Sequence, residues 1–227
     1  MELLQPHTAA FCNELDDFVM TISKHLDWGR NILKPTDLVV CQDDADASRL
    51  LTGLVGERKH LPMVAIKSSK LARALGTNGA QLESKSMQAL QFDLIKIDFT
   101  NSSNEKVMVI SIGYALLRNS WWRGEITAVL NTSFIGDWDC APKSHPNDGK
   151  FDVVNVSSQM RPSQRLIASR RVRLGTHLPH PQISTHQATG LEISTRTLPN
   201  LFVDGQRFSK VSQINFTLLP DAVTLCW

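Results

Sequence analysis

The sequence predicts an α/β (α+β) fold in two parts, a reduced N-terminal α/β lobe over residues 1–80 and a mostly antiparallel β-sandwich domain over residues 81–227. Two observations carry this reading. Up to Gly76, helical periodicity alternates with short apolar runs, the order of an α/β unit only two strands long. From Phe92 onward, short alternating segments follow one another with turn residues between them, as in a sandwich or barrel. The change of texture over residues 77–91 sets the boundary.

Residues 8–33 read as a helix, because Phe11, Leu15, Phe18, Val19, Ile22 and Leu26 recur at three- and four-residue steps. Pro35 breaks that pattern, and Asp37–Cys41 is then a buried parallel strand. A second helix covers 44–56 with Ala47, Leu50, Leu51, Leu54 and Val55 inward, Pro62–Ile66 is a second strand, and Lys70–Leu75 is a brief helix ended by Gly76. The β domain is expected to use strands at 92–99, 106–112, 125–131, 151–156, 190–195, 201–203 and 211–218. One helix interrupts it at 162–173, with Pro162 in its first turn and Gly175 just past its end.

The chain has 227 residues, enough to bury a real core. Its net charge of +2 argues neither for nor against an anionic partner, but Arg161, Arg165, Arg170, Arg171 and Arg173 gather positive charge in one short stretch. Such a cluster reads first as a solvated helix face, and second as a contact for phosphates. Cys12, Cys41, Cys140 and Cys226 have no CxxC spacing, so neither a zinc site nor a disulfide framework is expected, and a reducing cytoplasm suits them. No run reaches the ~18–20 apolar residues of a membrane span. The expected location is cytoplasmic, peripheral to a membrane where one is met. Trp121 and Trp122 are neighbours that cannot both face inward on a strand, so one belongs to the core and the other covers a groove or partner surface.

The segment Phe134–Val154 concentrates the chemistry. Asn147-Asp148-Gly149 is a turn signal leading into the strand that begins at Phe151. A carboxylate on such a turn can hold a cation with neighbouring carbonyls, or simply shape the turn. His177 and His180, each beside a proline, are candidates for a turn or a phosphate contact, with no third residue in sequence to complete a metal set.

These motifs resemble those of the bacterial, actinobacterial-type diacylglycerol-kinase-like lipid kinases. The run from Ala141-Pro142 to Asn147-Asp148-Gly149-Lys150-Phe151-Asp152-Val153 is similar to that family's "aP…DDG.lDv" segment. Gly175–Pro181, Val203-Asp204-Gly205 and Trp121-Trp122-Arg123-Gly124 follow the same likeness. The resemblance implies the diacylglycerol kinase and NAD kinase-like fold. It also implies a structural Mg²⁺ site at Asp148 with carbonyls near His145 and Lys150, and Asp204 as the proposed general base. Arg170, Arg171, His177 and His180 become candidate phosphate or lipid-headgroup contacts.

The nucleotide motifs depart from that family. Where it has GGDGT, this chain carries Gln42, Asp43, Asp44, Ala45 and Asp46, so only Asp44 matches and every glycine is gone. Side chains there fill space that phosphate needs, and the acids repel it. The second motif is also altered, with Lys67-Ser68-Ser69-Lys70 in place of glycines. The expectation is a degenerate or pseudokinase member with a lipid-binding or regulatory role, which binds ATP weakly or not at all. The alternatives are an active ATP-dependent lipid kinase acting on a diacylglycerol-type hydroxyl, and a structural assembly partner. Expected partners are a lipid or membrane surface and a second copy in a homodimer, with no nucleic acid.

Overall fold

The computed structural model describes residues 29–76, 79–195 and 197–227. It is a mixed α/β protein, mostly β. One sheet joins β1 (Arg30–Leu33), β4 (Ser86–Thr100), β15 (Ser212–Cys226), β3 (Val64–Ser68) and β2 (Val39–Asp43) in that order, with β5 (Lys106–Ser111) beside β4 and β12 (Gly190–Ile193) beside β15. A second sheet has the order β11 (Ile183–Ala188), β10 (Phe151–Val156), β7 (Ile126–Leu130), β6 (Tyr114–Arg118), β13 (Asn200–Val203), β14 (Gln206–Phe208). The helices are α1 (Asp44–Gly56) and α2 (Pro162–Val172), and β8 (Phe134–Ile135) pairs with β9 (Trp138–Asp139) as a small separate ribbon.

Strand alternation explains the layers. Along β4, Leu90, Phe92 and Leu94 face a core shared with Ala47 and Leu51 of α1, while Ile95, Ile97 and Phe99 face the second sheet. In the second sheet, Ala115, Leu117, Val129 and Val153 point to that inter-sheet core, and Leu116, Ile126, Ala128, Leu130 and Val154 point outward to Val172 of α2. Successive side chains on a strand take opposite faces, so a strand buried on both sides needs the unbroken apolar runs seen here. The order is therefore α1, first sheet, second sheet, then α2 with the small ribbon. Full burial of Phe92, Phe151 and Phe216 contributes about 1.5–3 kcal/mol each.

β4 and β15 pair antiparallel along most of their length, with an irregularity between Leu219 and Val223. Their far ends meet the α/β elements, where β15 runs parallel to β3, and β3 parallel to β2. Strands from both sides of residue 80 thus share one sheet. The helix expected over 8–33 lies outside the described residues up to 28, and its last part is corrected: Arg30–Leu33 is a strand paired with Ser86–Ala89. Gly29 turns the chain at φ +97°, against the Leu90 side chain, where an added Cβ would collide at 2.1 Å. Trp121 and Trp122 lie in the loop between β6 and β7 rather than on a strand.

Candidate functional site

The loop that would cradle phosphate is closed on itself. Asp43 takes the N-cap position of α1, and its Oδ1 accepts the Asp46 N–H at 2.8 Å. Asp46 Oδ2 in turn accepts the Gln42 N–H at 3.0 Å, and Asp46 Oδ1 meets Arg49. A helix start binds anions because its first N–H groups lack partners. Here one of those donors, the Asp46 N–H, and the Gln42 N–H just before the helix are spent on the loop's own carboxylates. Ala45 contributes its carbonyl, which accepts from Gln206 Nε2 at 3.3 Å.

Asp44 points the other way, into the α/β core edge. Its Oδ1 accepts the Ser69 hydroxyl at 2.5 Å and its Oδ2 accepts the Lys70 N–H at 2.8 Å. The altered second motif therefore folds over the one surviving residue of the first. Burial raises the Asp44 carboxyl above the usual carboxylate range, and these hydrogen bonds restrain that rise.

Asp204 is 5 % exposed and sits at φ +46° in the two-residue turn between β13 and β14, followed by Gly205 at φ +92°. Two consecutive left-handed residues make the mirror-image turn that Asp-Gly favours in hairpins. Its carboxylate accepts three backbone N–H groups, from Ile112 at 2.8 Å, Gly113 at 3.0 Å and Tyr114 at 2.9 Å. A side chain at Gly113 would stand 3.1 Å from Asp204 Oδ1, so glycine lets the two segments close. Burial pushes the Asp204 carboxyl up to about 7, against the pull of those N–H groups, and the Asp44 carboxylate adds to the rise. The turn thus stands beside the Gln42–Asp46 segment. Gln206 Nε2 also reaches Ser48 of α1 at 3.1 Å.

Asp148 belongs to a separate place. Its Oδ1 accepts the Lys150 N–H at 3.1 Å and its Oδ2 lies 3.5 Å from Gln187 Nε2. With Asp93 and Asp221 it lines a cavity of about 350 Å³. Asp93, fully buried, accepts the Asp221 N–H at 2.8 Å and the Gly149 N–H at 2.9 Å, tying the β15 irregularity to the turn. Burial raises the Asp93 carboxyl, and the Asp221 and Asp148 charges raise it further. The acids offer the negative charge that a hard cation wants, but among the described residues no three His, Cys, Asp or Glu converge closely enough to hold an ion. His145, half-buried, accepts the Asn147 N–H on Nδ1 at 3.3 Å, and burial lowers its pKa.

A mainly apolar feature lies between α2 and the outer face of the second sheet. A cavity of about 290 Å³ is lined by Leu116, Ile126, Val154, Trp138 and Val172 among others. Three polar side chains also reach its wall. Arg165 is spent on backbone carbonyls of Met160, Trp121, Gly124 and Ser157, and the Ser169 hydroxyl donates to Leu166. His177, 5 % exposed, makes no hydrogen bond of good geometry on either ring nitrogen, although the Cys140 backbone and the Asp139 carboxylate lie close enough to favour its protonated form. Burial lowers its pKa, so it presents a neutral imidazole near pH 7.

Of the residues singled out in sequence, Asp44 and Asp204 come together, and Asp148 lies apart with Asp93. His177 faces the apolar cavity, whereas His180 accepts the Gln182 N–H in the turn just before β11. Arg170 and Arg171 stand exposed on α2, but Arg165 is corrected from a solvated face to a buried clamp. It shares a helix face with Val172, seven residues on, which the spacing could have told. Asp93 was missed. A lone acid between Phe92 and Leu94 in an apolar run was the available signal.

Two stacked sheets with an α/β extension and an Asp-Gly turn set against a helix start define a kinase-like β-sandwich protein. The family of the YegS C-terminal NAD kinase β-sandwich-like domain matches residues 77–227, and the chain belongs to it. A diacylglycerol kinase from Bacillus anthracis str. Sterne is 15% identical, with a TM-score of 0.54 over 83% of this chain and 75% of that one. A candidate diacylglycerol kinase of the same organism gives 0.59 at 14% identity, over 83% and 77%. At these identities the likeness is one of fold. No curated protein sequence matches the chain.

Proposed function

We propose that this protein is a lipid-binding, regulatory member of the diacylglycerol-kinase-like family that has lost ordinary ATP handling. The observation behind this reading is a pairing within one chain. An apolar cavity suited to an acyl chain is present, while the phosphate loop is filled by the carboxylates of Asp43 and Asp46. A pocket with mostly apolar walls and one available polar group fits a lipid tail bearing a hydroxyl or ester near His177. At the loop, a carboxylate a few ångströms from a phosphate oxygen is repelled by ~1 kcal/mol even at the dielectric of water, and by more in a cleft.

Calorimetry with MgATP and with MnATP, each raised to millimolar concentration, is expected to give no saturable heat. Micromolar binding of either nucleotide would promote the second reading, an active lipid kinase. One observation favours that alternative: a carboxyl at about 7 beside Asp44 is matched to base catalysis near neutral pH. Displacement of a fluorescent acyl probe by a monoacyl or diacyl glycerol, without any bilayer, tests the cavity itself. Failure of every acyl probe to bind would remove the lipid-binding half of the proposal.

A Mg²⁺ ion at the Asp148 turn would rest on that one carboxylate and the carbonyls near His145 and Lys150, since both Asp93 oxygens already accept backbone N–H groups. Asp148→Ala is expected to lower Tm, with a loss larger by about 1 kcal/mol, or ~2–4 °C, in Mg²⁺ than in EDTA. Equal losses in both would leave Asp148 a turn former only. Among the described residues no helix is long and apolar enough to cross a membrane.

A further inference from the structure

Helix α2 has two faces of different use. Arg165 and Val172 point inward, while Leu166 and Ile167 are 42 % and 52 % exposed, and Leu174, just past the helix, is 77 % exposed. Arg161, Arg170, Arg171 and Arg173 are exposed among them. The loop held by Arg165 brings up Trp122, 50 % exposed, and the exposed Arg123. Four of the seven large apolar side chains exposed among the described residues therefore fall on this one element and its clamped loop. Leu33, Val40 and Leu198 make up the rest and lie elsewhere in the chain.

Charge is as lopsided as hydrophobicity. Residues 153–191 contain five arginines and no Asp, Glu or Lys. Glu125 is the one carboxylate in the neighbouring 121–125 loop. Exposed aliphatic groups set among arginines, on a helix lying along the surface, form the pattern of an interfacial helix: the apolar groups enter the acyl boundary and the guanidinium groups meet anionic headgroups. A second copy of the same face is a poorer partner. A symmetric contact would set these arginines against their own copies, with Glu125 and the Asp137 and Asp139 carboxylates of the small ribbon as the nearby acids, and Asp137 already meets Arg73.

We propose that the exposed face of α2, with Leu174, Trp122 and Arg123, docks onto an anionic lipid bilayer and sets the mouth of the apolar cavity against it. Trp122 carries both halves of the argument, since it lines the cavity and is also half exposed, which places it at the mouth. Lipid would then pass between bilayer and cavity without crossing water. The inference rests on the lipid-binding reading of that cavity, and the two fail separately.

The test uses the full chain and vesicle co-sedimentation. Vesicles of equal parts phosphatidylglycerol and phosphatidylcholine are expected to bind it, pure phosphatidylcholine vesicles to bind it far less, and rising salt to release it. Each arginine near an anionic surface is worth about fivefold in affinity, so Arg170→Gln with Arg171→Gln should weaken binding by about thirtyfold. Leu166→Ser with Ile167→Ser should weaken it by roughly tenfold or more. All four positions are exposed, and unchanged melting curves confirm that the variants are folded. Retained acyl-probe binding in the arginine variant, with vesicle binding lost, supports a docking face distinct from the cavity. Equal vesicle binding by variant and parent, or none by the parent, overturns the proposal. So does a dimer in sedimentation velocity that the Leu166/Ile167 variant dissociates, because that would assign the face to self-association.

Discussion

Arg165→Leu is expected to destabilise the protein by about 3–5 kcal/mol, roughly 6–20 °C in Tm, the largest effect of any single replacement on α2. The guanidinium is 5 % exposed and donates to four carbonyls. Nε reaches Met160 at 3.1 Å, Nη1 reaches Trp121 at 3.2 Å, and Nη2 reaches Ser157 at 2.9 Å and also Gly124. Among the described residues no carboxylate pairs with it, so backbone dipoles solvate the charge, and burial lowers its pKa. Leucine would fill part of the volume but leave those carbonyls without their donor in a dry place, at about 1–3 kcal/mol each where no water reaches them.

The consequence extends beyond stability. The same four bonds pin the 121–124 and 157–160 loops to α2, and these segments roof the apolar cavity. Arg165→Lys keeps the charge but not the fork, and should recover less than half of the loss. Arg171→Leu, on the exposed face, is the control, expected within ±0.5 kcal/mol of the parent. A melt in which Arg165→Leu and Arg171→Leu lose equally would reduce the clamp to a surface residue.

Arg165 also illustrates how far the sequence could be read. Five arginines in a short stretch suggested a solvated face, which holds for Arg161, Arg170, Arg171 and Arg173. The exception needed the helical period to be applied to charged residues as well as apolar ones. Periodicity placed α1 and α2 almost to the residue, because their inward positions recur and Asp43 and Pro162 mark their starts. Strand limits were less legible. β4 and β15 each run for 15 residues, whereas apolar alternation suggested shorter pieces. Pro220-Asp221 reads as a stop in sequence, yet the strand passes it through an irregularity that Asp93 supports. The strands β6, β11 and β14 went unread, as did the two-residue strands β8 and β9. β6 is apolar without alternation, β11 is polar at most positions, and β14 has only three residues.

The candidate site divides in the same way. The Asp-Gly turns at 148 and 204 were visible because turn chemistry is local. Their surroundings were not, because the partners of Asp204 lie 90 to 92 residues away, at Tyr114, Gly113 and Ile112. That Asp43 and Asp46 would spend the loop's own N–H groups was foreshadowed only as repulsion. The structure adds that those donors are already occupied.

The neighbouring carboxyls of Asp44 and Asp204 lead to the last expected result, a loss of stability as pH rises toward neutrality. Asp204 in the folded protein stands at about 7, above the 3.8 of an unhindered aspartate, with burial the first cause and Asp44 a further one. A raised carboxyl binds its proton more tightly in the folded state than in the unfolded one. Its stabilising effect is therefore complete below about pH 4, fades as pH climbs from 4 to 7, and is gone above. Each unit between the two values is worth about 1.4 kcal/mol, so Tm should fall by roughly 5–10 °C between pH 5 and pH 8. Asp44, raised by burial as well, adds in the same direction. His145 and His177, both lowered by burial, act oppositely below about pH 6.5, since a folded state that disfavours their protonation loses stability as they charge. The comparison that isolates the pair is Asp44→Asn. Asparagine can still accept the Lys70 N–H on its oxygen and donate from its NH2 to the Ser69 hydroxyl, but it removes the charge beside Asp204, whose pKa should drop and whose slope should flatten. Identical steep slopes in parent and Asp44→Asn would assign the rise to burial alone, whereas a flat parent profile between pH 5 and pH 8 would mean that the three N–H groups of Ile112, Gly113 and Tyr114 hold Asp204 ionised throughout. A carboxylate held that way is a staple between β13 and the β5–β6 connection rather than a base.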